Sequence, residues 1–463
     1  MSSKLIAIGI VVILAVAACG TAVYIMNQNG NDKPEYSLLD EALQVFGNAN
    51  DDWKIDSKDI DYLDKIINGE EEKTKYADAN QDGKIDEKDK KQVQDLIDNK
   101  ADKVWLVDGD GHVKEINRKI SRVGCEYYSN TELMLILGLK DKVYAVDYAP
   151  YQAKDFYFGK NSNVKELGNM NSPDYEMVSD MDLDILLTFS YSGAEDKQAK
   201  LPNVDVVYLG MYRPNVEEPT KSEYFQGILK AGYIFGVVDR AQDYMRWLLD
   251  IRDTIDSKTS KIAEDDKPSV LMTNYTSSYL QNGNEAATWS VYTSIDPMGQ
   301  ACLLAGGHLA AKDILTEEQY NGGPSRTLYG AKVGMEAIVD ADIDYAFCHC
   351  VKYTFGGADM GKPAHGYAVN DHTEMDEAYA IASGRMDPNK VDIDNIYIIA
   401  GDYRNGASGC MLLALYMAKI LHPDLFSDLD PLEYHQQYVS DWMGISGFDI
   451  HKNGVFISPG IEA

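Results

Sequence analysis

The chain has 463 residues, with 43 Lys and Arg against 74 Asp and Glu and a formal charge of −31; at about 150 residues per domain it holds two or three domains. A hydrophobic content of 45% with 25% charged residues excludes disorder, collagen-like repeats and coiled coil for most of its length. So negative a surface repels phosphate backbones, which excludes nucleic acid as an expected partner and favours cations.

Leu5 to Met26 is a run of 22 residues without a charge, enough for the roughly 20 that cross a bilayer as a helix. It is longer than the ~7–15 apolar residues of a cleaved signal peptide, which favours an uncleaved anchor. The competing reading is a lipoprotein signal, because Val16-Ala17-Ala18-Cys19 resembles a lipobox with Cys19 acylated. On either reading residues 1–26 tether the body to the cell membrane on its extracellular face, with Lys4 on the cytoplasmic side. A polar linker, residues 27–36, follows. Outside the apolar run stand five cysteines (Cys125, Cys302, Cys348, Cys350 and Cys410). The odd number implies at least one free thiol. Cys348-His349-Cys350 continues the apolar Tyr345-Ala346-Phe347, so it reads as a buried strand; two residues do not close a tetrahedral metal site.

Asn48, Asn50, Asp52, Lys54, Asp56 and Asp59 recur 30 residues later as Asp78, Asn80, Asp82, Lys84, Asp86 and Asp89. These are positions 1, 3, 5, 7, 9 and 12 of two loops, with side-chain oxygens everywhere except at position 7, where the lysine offers its carbonyl. Hard oxygens at this spacing are the ligand scheme of an EF-hand-type Ca²⁺ loop, so two Ca²⁺ ions are expected. Apolar residues after each loop repeat as well: Leu63, Ile66 and Ile67 against Val93, Leu96 and Ile97, the pattern of an amphipathic helix. Loop 2 has four carboxylates and Gly83 for its turn, whereas loop 1 has three and Trp53, so loop 1 should bind more weakly. With Asp at position 12 and no helix before each loop, residues 37–100 resemble a dockerin, a small all-α calcium-folded module that plugs into cohesin domains. The resemblance implies a cohesin-bearing partner contacted through loop positions 10 and 11, here Ser57 and Lys58, and Glu87 and Lys88.

From residue 101 onwards, apolar strand-like runs alternate with helical patterns, which argues for an α/β architecture with parallel sheets. Glu176-Met-Val-Ser-Asp180-Met-Asp182-Leu-Asp184 and Glu336-Ala-Ile-Val-Asp340-Ala-Asp342-Ile-Asp344 share one spacing at an offset of 160 residues. Each reads as a helix delivering into a buried strand. Between the two copies, Arg240 to Ile262 forms one amphipathic helix of about 23 residues, some 34 Å long at 1.5 Å per residue. The expectation is two Rossmann-like lobes, residues 101–239 and 264–463, joined by the bridging helix 240–263 and enclosing a cleft. Arg122-Val123, Thr131 to Leu139, Gly168 to Pro173, Asp184-Ile-Leu-Leu, Gly306-Gly307 and Ala418 to Pro423 then follow in an order similar to that of ABC-transporter substrate-binding proteins for ferric siderophores, haem and cobalamin. That resemblance implies a non-enzymatic protein that passes a metal complex to an ABC permease. It also implies one surface glutamate per lobe, Glu176 and Glu336, docking on permease arginines.

Loops after the expected strands are rich in tyrosine, of which the chain has 31. Tyr127, Tyr128, Tyr148, Tyr151, Tyr275, Tyr279, Tyr353 and Tyr403 are candidate cleft residues, since aromatic faces with hydroxyl tips suit a large, flat, partly polar ligand. Arg213, Lys352 and Arg404 are candidate partners for its acidic groups. His349, His365 and His372 are close in sequence, but glycines around them argue against a rigid ligand set. Two other function classes remain open at this level: a dockerin-bearing polysaccharide hydrolase, against which no nucleophile or metal-hydrolase motif is found, and a cell-surface scaffold component.

Overall fold

The computed structural model describes residues 42–171, 173–189, 193–275, 288–350, 365–385 and 395–460. The expected membrane-tethering run and the linker lie outside them, and no helix among the described residues is long and apolar enough to cross a membrane.

The first oxygen-rich loop leads into α1 (Ser57–Ile67) and the second into α2 (Glu87–Ile97). Both helices open on the same capping box: Asp56 and Asp86 accept from the Lys58 and Lys88 backbone, and Asp59 and Asp89 accept from the cap N–H groups at 2.7 and 2.8 Å. The last oxygen of each loop is therefore also the device that starts its helix. The loops differ where their sequences do. Gly83 takes φ +88° and its N–H reaches Asp78 at 2.9 Å, whereas in loop 1 the Asn48 amide donates to the Leu43 and Asp52 carbonyls at 3.1 and 2.6 Å.

A hairpin of β1 (Lys103–Val107) and β2 (Val113–Asn117) precedes the first lobe. The lobe then runs β3 (Val123–Cys125), α3 (Tyr127–Ile136), β4 (Val143–Val146), α4 (Tyr148–Gln152), α5 (Lys154–Phe158), β5 (Lys165–Glu166), α6 (Tyr175–Ser179), β6 (Ile185–Thr188), α7 (Ala194–Lys200) and β7 (Asp205–Tyr208). Its sheet order is β5-β4-β3-β6-β7, with every pairing parallel. The central strands are short and apolar because helices cover both faces. After α8 (Glu223–Phe235), α9 (Val238–Thr259) carries the chain to the second lobe. This is the expected bridge, with Ala241, Tyr244, Met245, Leu248, Ile251 and Ile255 buried along one stripe.

The second lobe contains β8 (Ser269–Tyr275), β9 (Thr288–Tyr292), α10 (Pro297–Leu304), β10 (His308–Leu309), α11 (Ala311–Ile314), α12 (Glu317–Tyr320), β11 (Gly330–Gly334), α13 (Met335–Val339), β12 (Tyr345–Cys350), α14 (Thr373–Arg385), β13 (Asn395–Ala400), α15 (Asp402–Asn405), α16 (Met411–Leu421), α17 (Pro431–Gln437) and β14 (Ile457–Ser458). β8, β12 and β13 are parallel, with β10 beside β8. β9, β11 and β14 are antiparallel, so this sheet is mixed and not the parallel sheet expected. Antiparallel neighbours need no crossover helix, and the alternating βα signal was absent between β8 and β9 and at the chain's end.

The described residues belong to one compact unit. Val45, Leu63 and Val93 of the repeated-loop segment belong to the same apolar cluster as Val123, Leu248 and Ile398 of the two lobes and the bridge. The segment expected as a separate module up to residue 100 thus shares its core with the body. All five cysteines expected in the body are buried thiols outside any disulfide.

Candidate functional site

The carboxyl ends of the strands in both lobes meet in an aromatic and charged cluster, where the switch-point rule for open α/β sheets expects a ligand. From the first lobe come Tyr127, at the start of α3, Phe189 after β6 and Tyr212 after β7. Tyr127 stacks on Phe189 with centroids 4.0 Å apart, and Tyr212 meets the two rings edge-on at 6.0 and 5.2 Å. Tyr127 holds φ +70°, a conformation that costs a side-chain-bearing residue about 1–3 kcal/mol and collects at functional sites. From the second lobe come Tyr292, Asp296, Tyr329 and Arg404. Tyr212 and Tyr329 touch across the lobes with centroids 5.2 Å apart. The Arg404 guanidinium lies 5.1 Å from the Tyr212 ring centre and 4.7 Å from that of Tyr292.

Arg404 does not enter this cluster as an uncompensated charge. Its Nε lies 3.1 Å from each oxygen of Asp296, whose side chain is fully buried and caps α10 through the Met298 N–H. Arg213 donates to Glu223 at 2.8 and 3.0 Å and to the Tyr329 hydroxyl at 3.0 Å. Both arginines expected to balance a ligand's acidic groups are thus neutralised by protein carboxylates. His349 bonds the Tyr292 hydroxyl through Nδ1 at 2.8 Å and leaves Nε2 buried without a hydrogen-bond partner among the described residues. Burial, followed by the nearby Arg404 charge, holds its imidazole well below its ordinary pKa, so it is neutral. The Tyr212 hydroxyl is likewise buried with no hydrogen-bond partner among the described residues.

The other expected cleft residues divide. Tyr148 is exposed at the start of α4, and Tyr151 accepts from Lys154 at 3.0 Å. Tyr128 turns inward and donates to the Ala149 carbonyl at 3.1 Å. Tyr403 is 2% exposed and packs on Tyr416, His435 and Phe456. Tyr128 is thus turned into the first lobe and Tyr403 into the second; Tyr403 precedes Arg404 on a short helix, where consecutive side chains point about 100° apart. Tyr275 ends β8, while Tyr279, Lys352 and Tyr353 lie outside the described residues. Of the three histidines, His349 and His365 lie near enough to each other for their charges to interact. His349 and His365 are buried, the latter with Nδ1 3.5 Å from Asp402, whereas His372 is exposed. Phe189, Tyr292, Asp296 and Tyr329 were missed by sequence reasoning; only Asp296-Pro297 carried a readable signal, that of a helix start.

Beside the cluster, Arg213, Asn215, Glu217, Ser294, Tyr320 and Arg326 are among the residues lining a polar groove of ≈ 760 Å³ that takes walls from both lobes. In the first lobe, Asp108, His112 and Glu195 bring donor atoms within 4.8 Å of one another. The Lys114 ammonium already contacts Glu195 and stands 4.0 Å from Asp108, so that cluster supplies its own cation.

Glu176 and Glu336 occupy equivalent places. Each is exposed in the first turn of a five-residue helix, α6 or α13, that leads into a central strand. Asp184 and Asp344, which end the two copies of the motif, accept from the backbone of Arg122 and Ser269 at the entry to a neighbouring strand, both at 2.8 Å. In the repeated-loop segment Ser57, Lys58, Glu87 and Lys88 are exposed, and Lys88 pairs with Asp82 at 3.1 Å.

Two α/β lobes bridged by one long helix, with an aromatic cluster where their strand ends meet, define a bilobal solute-binding protein. The chain belongs to the periplasmic binding protein family, whose model matches residues 123–365. Similar solved structures include the TroA-like periplasmic binding protein FepB from Veillonella parvula (12% identity, TM-score 0.56, covering 76% of this chain and 98% of that one). They also include Haemophilus influenzae MolA bound to molybdate (14%, TM-score 0.52, 73% and 98%). A third is Helicobacter pylori CeuE with Ni(II) bound (12%, TM-score 0.51, 75% and 98%). At these identities the likeness is one of fold. A search of curated proteins finds no match.

Proposed function

We propose that this protein captures a metal complex of the ferric-siderophore, haem or corrinoid class outside the cell and delivers it to the permease of an ABC importer. The observation that carries the reading is the inter-lobe cluster of Tyr127, Phe189, Tyr212, Tyr292 and Tyr329 around the paired Asp296 and Arg404. Broad aromatic faces supply contact area to a large flat ligand, while the buried Tyr212 hydroxyl and His349 Nε2 are poised to bond it. Molybdate in MolA and Ni(II) in CeuE, proteins of the same fold, support a metal-containing cargo. In this reading Glu176 and Glu336 register the two lobes on permease arginines, and the body acts as a binder and not as an enzyme. Residues 1–26 hold it at the membrane, as anchor or as lipoprotein signal.

The segment before the lobes serves as a calcium-binding dockerin, with Ser57, Lys58, Glu87 and Lys88 towards a cohesin-bearing protein. Its oxygens fit a cation. Asn48 Oδ1 is buried without a hydrogen-bond partner among the described residues, and burial, with Asp52 close by, pushes Asp59 up to about 7. A bound Ca²⁺ would supply the positive charge these oxygens lack, and loops 1 and 2 would take one ion each.

The test is native mass spectrometry with absorbance spectroscopy of the full chain in detergent, incubated with a panel of ferric siderophores, haem and corrinoids. A stoichiometric complex from one class is expected. Silence across the panel from a folded protein overturns the metal-complex reading.

A further inference from the structure

The calcium-loop segment is seated on the solute-binding body by one helix. Gln226, Lys230 and Tyr233 lie four and three residues apart, and so on one stripe of α8. Gln226 accepts from the Gln44 N–H at 3.2 Å and donates to the Ala42 carbonyl at 3.1 Å. Lys230, fully buried, donates to the Gln44 side chain at 2.7 Å. The Tyr233 hydroxyl accepts from the Ile55 N–H at 2.7 Å. The chain before loop 1 also pairs with the body's hairpin, Phe46 N–H to the Trp105 carbonyl at 2.9 Å and Val107 N–H to the Gln44 carbonyl at 3.0 Å.

The bond from Ile55 acts on the calcium site itself. Ile55 stands at loop position 8, so its N–H belongs to the same peptide group as the Lys54 carbonyl, the position-7 ligand. In a trans peptide the N–H and C=O point in opposite directions. A hydroxyl fixed behind the N–H therefore holds the carbonyl facing the other way, and a bond at one end of a peptide polarises the other. Tyr233 is itself fixed: its carbonyl accepts from Arg118, which also bonds the Ala101 carbonyl and the Asn99 side chain at the end of the segment.

We infer that Tyr233, a residue of the solute-binding body, is a positioning residue for calcium loop 1, so that calcium occupancy there and the order of α8 are coupled. The inference rests on the calcium reading above. Coupling is reciprocal: what holds loop 1 for the ion is held by the ion in turn. It reaches towards the solute site, because the first residue of α8, Glu223, grips Arg213 beside the aromatic cluster.

The test is a calcium titration of the full chain in detergent by isothermal calorimetry, with bound calcium counted by metal analysis after dialysis. It is run on wild type and on Tyr233→Phe, which removes one oxygen and keeps the ring. Wild type should show two binding events. In the variant the weaker event should lose about 5–30-fold in affinity, the effect of leaving a buried N–H unsatisfied, while the stronger stays unchanged. In wild type, calcium should also slow hydrogen exchange of amides 223–235, and less so in the variant. Two unchanged events in Tyr233→Phe would overturn the coupling and leave the calcium reading standing. A wild type that retains no calcium would overturn both.

Discussion

Glu132 offers a direct probe of how the lobes are held together. It lies on α3 of the first lobe, 1% exposed, and accepts from Tyr157 of the same lobe at 2.7 Å. It also accepts from Tyr438 at 2.5 Å and from the Ala407 N–H at 2.7 Å, both from the chain beyond β13. The Ala407 carbonyl accepts in turn from Tyr244 of the bridging helix at 2.7 Å and from Tyr224 of α8. One residue near Arg404, Ala407, is thereby tied through its two flanking peptide groups to the first lobe, to α8 and to the bridge. Burial pushes the Glu132 carboxyl up to about 7, against the pull of its three donors and with the Asp402 charge adding to the rise.

A folded-state pKa raised from 4.5 to about 7 means that the folded protein holds a proton there that the unfolded chain has released. The resulting stability is complete below about pH 4.5 and is lost as pH rises through 7. At about 1.4 kcal/mol per pH unit this contribution is at most ~3 kcal/mol. Glu132→Gln keeps the shape and an oxygen for Ala407 while removing the titration. In denaturant unfolding followed by tryptophan fluorescence, variant and wild type should lie within ~1 kcal/mol of each other at pH 5. The variant should gain up to ~3 kcal/mol on wild type by pH 8. The comparison between the two proteins cancels other titrating groups. Curves that stay parallel from pH 5 to 8 would refute the reasoning, since the three donors would then be keeping Glu132 ionised throughout.

Lys197→Met should cost about 3–5 kcal/mol, because Lys197 Nζ stands 2.6 Å from Glu126 with both side chains almost fully buried, and a lone carboxylate would remain; adding Glu126→Gln should restore most of the loss in the same unfolding assay. Gly227→Ala should destabilise by ~1–3 kcal/mol, since a Cβ there would stand 2.1 Å from the Leu209 carbonyl oxygen and push α8 off the loop carrying Tyr212; an unchanged midpoint would show that the helix shifts freely. Glu176→Arg or Glu336→Arg should leave cargo binding unchanged while abolishing stimulation of the permease's ATPase in proteoliposomes, and retained stimulation would remove the docking role.

The readable parts of this molecule were those in which one physical rule acts locally. The bridging helix follows from apolar residues at helical spacing, and its observed span, Val238–Thr259, begins two residues before the expected start. The duplicated capping boxes at Asp56 and Asp86 lie within the repeat itself. The inter-lobe cluster was only half readable, because tyrosine in a loop says nothing about which side of the chain it leaves. Tyr127 and Tyr128 are adjacent, yet one stacks on Phe189 while the other packs inward. Arg404 was recognisable as a cation, but its neutralisation depends on Asp296, 108 residues away in sequence. The seat of the repeated-loop segment was invisible for the same reason: Gln226, Lys230 and Tyr233 read as ordinary positions of an amphipathic helix until Gln44 and Ile55 are brought against them.

The motif repeated at an offset of 160 residues contains two kinds of acidic residue, and the structure separates them. Asp184 and Asp344 are accounted for by the fold, since each accepts backbone N–H groups where a neighbouring strand begins, a task any two α/β lobes of this kind would share. Glu176 and Glu336 are not accounted for in this way. Both are exposed, and neither has an ion-pair partner among the described residues. A favourable helix dipole in a five-residue helix is worth at most a few tenths of a kcal/mol at such exposure, and Asp would serve it equally. A pair of identical side chains placed identically on two lobes, with no ion-pair partner among the described residues, is what a partner with two equivalent halves would require. Lobe-by-lobe charge reversal therefore separates the two explanations: a fold role would appear as lost stability in the single variants, and a partner role as lost coupling with stability intact.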